Sequence, residues 1–208
     1  MPGGGGFSVI VAGAVLCGGK SSRMGTPKAL LRVGEETFLE RVVRVVHSVA
    51  QPIIVVAAQD QDLPPLSPFD VRILRDFVPD SGPVDALFRA MTQLADDVDA
   101  VYLSSCDVPL LKPAFVRRVV ESLGDDDIAI PKIGGRFHPL AAVYHTRTLA
   151  QLGALFLEDR RRMTDLLNGH RVRVLDERDF RDCDPDLDSL RNVNTPEDYR
   201  DVLRRIRQ

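Results

Sequence analysis

One short segment of this chain gathers the residue types that hold phosphate: Cys17-Gly18-Gly19-Lys20-Ser21-Ser22-Arg23-Met24-Gly25-Thr26-Pro27-Lys28. Glycines have no Cβ, so their backbone N–H groups can close on an anion, and successive amides can form a concave nest. Arg23 adds a fork of donors matched to phosphate oxygens, and Lys28 a compact, mobile charge. Together they describe a triphosphate cradle. A Walker A loop, G-x-x-x-x-G-K-S, is nearly drawn by Gly13, Gly18, Gly19, Lys20 and Ser21. It fails because one residue too many separates the correctly spaced glycine from the lysine, and Gly13 falls inside an apolar run. A G-x-G-x-x-G fingerprint cannot be threaded through Gly18, Gly19 and Gly25. Gly-Gly alone marks an ordinary loop. Arg23, Gly25 and Lys28 at these intervals turn the reading toward phosphate.

A second element of chemistry follows the apolar run Ala100-Val101-Tyr102-Leu103, where Ser104-Ser105-Cys106-Asp107-Val108-Pro109 stands. An Asp at the carboxyl end of a strand, closed off by Pro, projects a hard oxygen toward the cradle. Mg²⁺ takes one or two carboxylates and completes its shell with water and substrate phosphates, so Asp107 suffices as a ligand. The bland alternative, a helix cap, is too far from the helix start at Pro113. Asn192 and Asn194 alternate, which puts both amides on one side of an extended segment. The following Thr195-Pro196-Glu197-Asp198 is a sound helix start in its own right. Asp76 alone reads as a solvated loop-end carboxylate, and His138 alone as a packed histidine. His145, His170 and Cys183 have no partner at ligand spacing, so no zinc site is expected. Arg160-Arg161-Arg162 reads as a solvated turn that could meet phosphate beside an anionic acceptor.

The whole-chain composition sets limits. The 208 residues carry 27 Lys and Arg against 30 Asp and Glu, a net charge of −3, which excludes binding to nucleic acid through bulk positive charge. Apolar residues at 44% are enough for a sizeable core. The longest apolar stretch, about Ser8 to Cys17, is too short to span a bilayer and lacks a basic flank, so neither a membrane segment nor a signal peptide is expected. Three separated cysteines without Cys-x-x-Cys point to a reducing cytoplasm.

These side chains need a scaffold, and the hydrophobic pattern supplies one. Val9–Leu16 is apolar on both alternations, as a strand buried on both faces must be. Thr37 caps a helix whose Leu39, Val42, Val43, Val46 and Val49 recur at helical spacing. Short strands follow at Ile53–Ala57, Val71–Leu74, Ala100–Leu103 and, just before Pro131, Ile128–Ile130, with helices at Gly82–Leu94 and Pro113–Leu123. Phe137–Tyr144 holds an internal Pro139 and is expected as an edge or bulged strand, antiparallel to its neighbours. Helices near Leu149–Leu157 and Arg162–Leu167, a strand Val172–Leu175 and a helix from Pro196 complete the pattern. The expectation is a single-domain, Rossmann-like α/β fold over residues 9–208, with a mostly parallel open sheet, flanking helices and an antiparallel edge strand. Residues 1–8, rich in glycine, are expected to be a flexible tail.

The segment LCGGKSSRMGTPKALL resembles the L-A-G-G-x-S-x-R-M-G-x-D-K-A-L-L signature of nucleotidyltransferases, and within them the MobA-type molybdenum cofactor guanylyltransferases. It departs at Cys17, where Ala is usual, and at Pro27, where Asp is usual, which bears on how Lys28 is oriented. Asp76 with Gly82-Pro83, Cys106-Asp107-Val108-Pro109, His138-Pro139-Leu140 and Asn192-Val193-Asn194-Thr195-Pro196-Glu197-Asp198 resemble further blocks of that family in the same order. The resemblance implies transfer of GMP from GTP to the terminal phosphate of molybdopterin, with pyrophosphate released. It implies Arg23, Lys28 and Asp107 as catalytic groups. Leu16, Cys17, Gly18, Gly19, Arg23, Lys28, Asp76, Gly82 and Asp107 would lie on the nucleotide, Asp107 on Mg²⁺, and His138, Asn192 and Asn194 on the acceptor. Ala57 and Gln59 stand where the family often carries Asn at the guanine edge, so CTP as donor stays open. So do a sugar or alcohol phosphate as acceptor, transient contact with proteins that deliver or receive the cofactor, and a non-catalytic nucleotide-binding regulator. No nucleic-acid or membrane partner is expected.

Overall fold

A computed structural model of the chain describes residues 9–17, 26–76 and 82–206, the side chain of Asp76 excepted. The expected tail, residues 1–8, lies outside them. Strand β1 (Val11–Leu16) is followed by a small antiparallel hairpin, β2 (Arg32–Val33) and β3 (Glu36–Thr37), and then by helix α1 (Phe38–His47). The chain continues through β4 (Ile53–Ala58), β5 (Val71–Asp76), α2 (Gly82–Leu94), β6 (Ala100–Ser105) and α3 (Pro113–Glu121). It ends through β7 (Ile128–Ile133), β8 (Arg136–Phe137), β9 (Ala141–His145), α4 (Leu149–Leu157), β10 (Val172–Leu175) and α5 (Pro196–Ile206). Thr37 caps α1 as its sequence requires: Glu40 N–H donates to Thr37 Oγ1 at 3.2 Å, and Thr37 N–H to Glu40 Oε2 at 2.6 Å.

The main sheet runs β10-β7-β9-β6-β1-β4-β5, with β8 paired on β7. Strand β1 is parallel to both β4 and β6 and is buried along its length, with its two sets of side chains in separate cores. On one face Val11 and Val15 pack with Leu39, Val42 and Val43 of α1 and Phe115 and Val119 of α3. On the other, Ala12, Ala14 and Leu16 pack with Leu87 and Met91 of α2 and Leu152 and Leu155 of α4. The result is a three-layer arrangement. Because β4 lies on one side of β1 and β6 on the other, the chain reverses direction across the sheet at β1, and the crevice outside the carboxyl ends of β1 and β6 is where such sheets take ligands.

Two expectations are corrected. The antiparallel strand is internal and not at an edge: β9 pairs antiparallel with β6 on one side and β7 on the other. Pro139 lies in the turn between β8 and β9, so the ladder does not need its missing N–H. The buried run Ala141–Tyr144 can therefore pair along both edges. Strand β7 also continues through Pro131. Its pairing with β9 ends at Ala129, and the Pro131 carbonyl accepts from His138 N–H at 2.9 Å. The edges are β5 and β10, which expose Arg72 and Ile73, and Arg173 and Val174.

Gly13 shows how closely α1 approaches the sheet. A Cβ there would lie 2.5 Å from both Ile53 Cδ1 and Val46 Cγ1. Gly13→Ala is expected to lower unfolding free energy by about 1–3 kcal/mol through overpacking, measured by urea denaturation.

Candidate active site

Asp107 stands at the carboxyl end of β6, with its side chain 14% exposed. Its Oδ2 accepts from Lys28 Nζ at 2.9 Å, across 79 residues of sequence. Its Oδ1 accepts from Asn192 Nδ2 at 2.8 Å and from the Ser105 hydroxyl. Lys28 Nζ also donates to Asn194 Oδ1 at 2.8 Å. Four residues expected from sequence thus meet in one hydrogen-bonded group: Lys28, Asp107, Asn192 and Asn194.

Each is delivered by a separate local cause. Pro27 (φ −54°, ψ 131°) directs the chain into a short 3-10 turn, Lys28–Leu30, closed by Leu30 N–H on the Pro27 carbonyl at 2.9 Å. The usual carboxylate before the lysine is absent, and Asp107 and Asn194 orient Lys28. The two asparagines alternate around Val193, which is fully buried beside Val33, Phe38 and Leu110, while both asparagines are exposed. Val193 N–H donates to the Asp107 carbonyl at 2.9 Å, so the tail is bonded to both backbone and side chain of Asp107. Beyond it, Asp198 accepts from the N–H groups of Asn194 (2.9 Å) and Thr195 (2.8 Å), and its own N–H returns to Thr195 Oγ1 at 3.1 Å. The Asn194 N–H holds the Asp198 carboxyl below its ordinary range, against burial.

Sequence reasoning missed the peg that fixes this tail. Asp184, fully buried, accepts from Lys112 Nζ at 2.6 Å and from the N–H groups of Asp188 (3.2 Å) and Ser189 (2.9 Å). Lys112 N–H donates to Ser189 Oγ at 3.0 Å. Nothing in the local pattern marks a pair 72 residues apart. Burial pushes the Asp184 carboxyl up, but the bonds from Lys112 and Ser189 outweigh it and hold the carboxyl below the usual carboxylate range.

The remaining expected residues fall into three groups. Gly18, Gly19 and Arg23 lie outside the described residues, as does the side chain of Asp76. Leu16 is buried in the core, and its carbonyl accepts from Cys106 N–H at 2.9 Å. Cys17 is buried beside Cys106, whose hydrogen bond, together with burial, pushes the Cys17 thiol up. Gly82 opens α2 at φ +84°, a conformation glycine adopts freely. His138 lies in the turn before β9, which pairs Ala141 with Ser104, so the turn is at the same end of the sheet as Asp107. Burial, and then Arg136, lower its pKa. Its ring makes no hydrogen bond to the Lys28–Asp107–asparagine group among the described residues. Ala57 faces the core, which leaves Ala58 and Gln59 exposed at the end of β4.

Lys28, a carboxylate at the end of β6 and an asparagine pair bonded to both are joined at the carboxyl end of the central strands. The profile of the MobA-like NTP transferase domain matches residues 13–174. The chain belongs to that family. It is 33% identical over 191 residues to a probable molybdenum cofactor guanylyltransferase of Bacillus mycoides (strain KBAB4), covering 90% of this chain and 93% of the relative. Its fold is similar to that of molybdopterin-guanine dinucleotide biosynthesis protein A from Archaeoglobus fulgidus, with TM-score 0.76 at 21% identity, over 94% of this chain and 98% of that one. It is also similar to a Mycobacterium tuberculosis H37Rv protein solved as a manganese complex, with TM-score 0.63 at 20% identity, over 94% and 98%. Among the described residues no helix is long and apolar enough to cross a membrane.

The peg has a pH signature. A carboxyl held below its unfolded value adds stability above that value, near about 3.9 for Asp, and loses it as pH falls through the folded one. Asp184→Asn is expected to cost about 2 kcal/mol at pH 7, less than a fully buried pair because Lys112 remains partly in water. Its stability should then fall less than wild type's between about pH 5 and 3, measured by urea denaturation across that range.

Proposed function

We propose that this chain transfers GMP from GTP to the terminal phosphate of molybdopterin or its molybdenum-bearing form, releasing pyrophosphate and leaving the guanine dinucleotide cofactor. The observation that carries this reading is the hydrogen-bonded convergence of Lys28, Asp107, Asn192 and Asn194. The Bacillus mycoides relative, named a probable molybdenum cofactor guanylyltransferase, supports the same reading.

The chemistry is an in-line displacement. An acceptor phosphate oxygen bonds to the α-phosphorus of GTP while the bond to the bridging oxygen breaks, and that oxygen leaves with the electron pair as pyrophosphate. The nucleophile is already ionised near neutral pH, so no protein base is needed. Catalysis then rests on positioning and on neutralising charge. In this reading Gly18, Gly19 and Arg23 hold the β- and γ-phosphates, and Asp76 and Gly82 face the nucleotide. Lys28 meets the developing charge, while Asn192, Asn194 and His138 face the acceptor. Because Asn192 bonds Asp107 and Asn194 bonds Lys28, the acceptor-side amides also orient the donor-side charges.

A divalent cation fits this donor set. Asp107 presents a hard, mostly buried carboxylate, and Mg²⁺ takes one or two such ligands beside water and phosphate oxygens. When bound, Mg²⁺ would supply charge neutralisation on the triphosphate at Asp107. Free thiols at Cys17, Cys106 and Cys183 fit a cytoplasmic setting. A second reading keeps the transfer and takes CTP as donor. Ala57 leaves it open, since its buried methyl offers no group that would select guanine.

Lys28→Ala and Asp107→Ala are each expected to lower turnover by about a hundred- to a thousand-fold with the fold intact. Pyrophosphate release and far-ultraviolet circular dichroism are the measurements. The double variant Asn192→Ala/Asn194→Ala should raise the acceptor KM by more than it weakens GTP affinity, measured by titration. Turnover near wild type in either Lys28→Ala or Asp107→Ala would sink the assignment.

A further inference from the structure

The backbone ladder between β1 and β4 runs through Leu16 and Val56, and Cys17 N–H extends it by donating to the Val56 carbonyl at 2.8 Å. There the ladder stops, and side chains take over. The Gln61 carboxamide donates through Nε2 to the Cys17 carbonyl at 3.0 Å and accepts through Oε1 from Ala58 N–H at 3.3 Å. Gln61 N–H closes the same turn on the Ala58 carbonyl at 3.2 Å. From the neighbouring strand β5, Arg75 Nη1 donates to the carbonyls of Ala58 (3.1 Å) and Gln61 (2.6 Å). Gln61 thus ties the end of β1 to the turn after β4, Arg75 ties that turn to β5, and the far end of the chain of bonds is the Cys17 carbonyl.

That carbonyl belongs to the residue immediately before Gly18-Gly19. A planar peptide unit turns as one body, so a bond on its oxygen restrains the peptide plane at the end of β1. Arg75 makes this restraint stiff. Among the described residues it pairs with no carboxylate, and its Nη1 lies on two backbone oxygens of the turn that carries Gln61. We infer that Gln61, braced by Arg75, is a positioning residue for the donor nucleotide: it fixes the Cys17 carbonyl at the end of β1. The inference rests on the reading that the glycine-bearing segment after Cys17 holds the triphosphate.

The test is steady-state kinetics on the full chain, with GTP, CTP and molybdopterin varied separately, beside GTP titration and thermal melting. Gln61→Glu keeps the side-chain shape but removes the donor to Cys17, and Arg75→Ala removes the bridge to β5. Each is expected to raise KM for both nucleotides by about tenfold, the worth of one hydrogen bond, and to leave the acceptor KM unchanged. Arg75→Lys should recover part of the loss. A lower melting temperature with unmoved KM values would overturn the inference in favour of plain packing. A changed preference between GTP and CTP would overturn it in favour of direct base contact. A wild-type chain that binds neither nucleotide would instead overturn the reading beneath it.

Discussion

The carboxylate of Asp107 is the constraint around which the rest is arranged. A mostly buried charge at the end of a strand is tolerated only when donors reach it. Its donors come from Lys28, Ser105 and Asn192, which belong to widely separated parts of the chain. Holding Asn192 in place requires Val193 to be buried, and burying Val193 requires the pocket made by Val33, Phe38 and Leu110. The small hairpin β2–β3 and the start of α1, peripheral to the main sheet, thereby become supports of the site. Lys112 and Asp184 peg the segment that leads into this tail, and Asp198 fastens its far end.

The same constraint joins the two halves of the proposed chemistry. A donor site and an acceptor site on separate surfaces could vary independently. Here the acceptor-side amides bond directly to Lys28 and Asp107, so the groups that would bind the second substrate also set the charges that act on the first. The net charge of −3 says nothing of this. What matters is that one ammonium and one carboxylate face each other at 2.9 Å on the rim of a sheet whose next segment carries Arg23.

Much of the scaffold was legible because its signals are local. Thr37 and Glu40 announce the start of α1, Gly82-Pro83 that of α2, and the doubly apolar Val11–Leu16 a central strand. Asn192 and Asn194 could be recognised as a pair because an alternating segment puts them on one side with Val193 opposite. Pro139 misled. A proline reads as an edge signal only if it lies within the ladder, and here it lies in the turn just outside. Lys112 with Asp184, and Gln61 with Cys17, could not be read at all, because partners 72 and 44 residues apart leave no periodicity.

By itself, then, the sequence determined the order of the longer strands and helices and which side chains alternate or recur on one face. Those depend on side-chain pattern and backbone preference within a few residues. Only the tertiary structure decided that β9 enters the sheet between β6 and β7, that Lys28 turns to Asp107 and Asn194 in the absence of a carboxylate at Pro27, and that the tail is clamped to the end of β6. Each of these is a contact between distant segments. Such contacts are set by which buried polar groups must find partners once the two cores have packed.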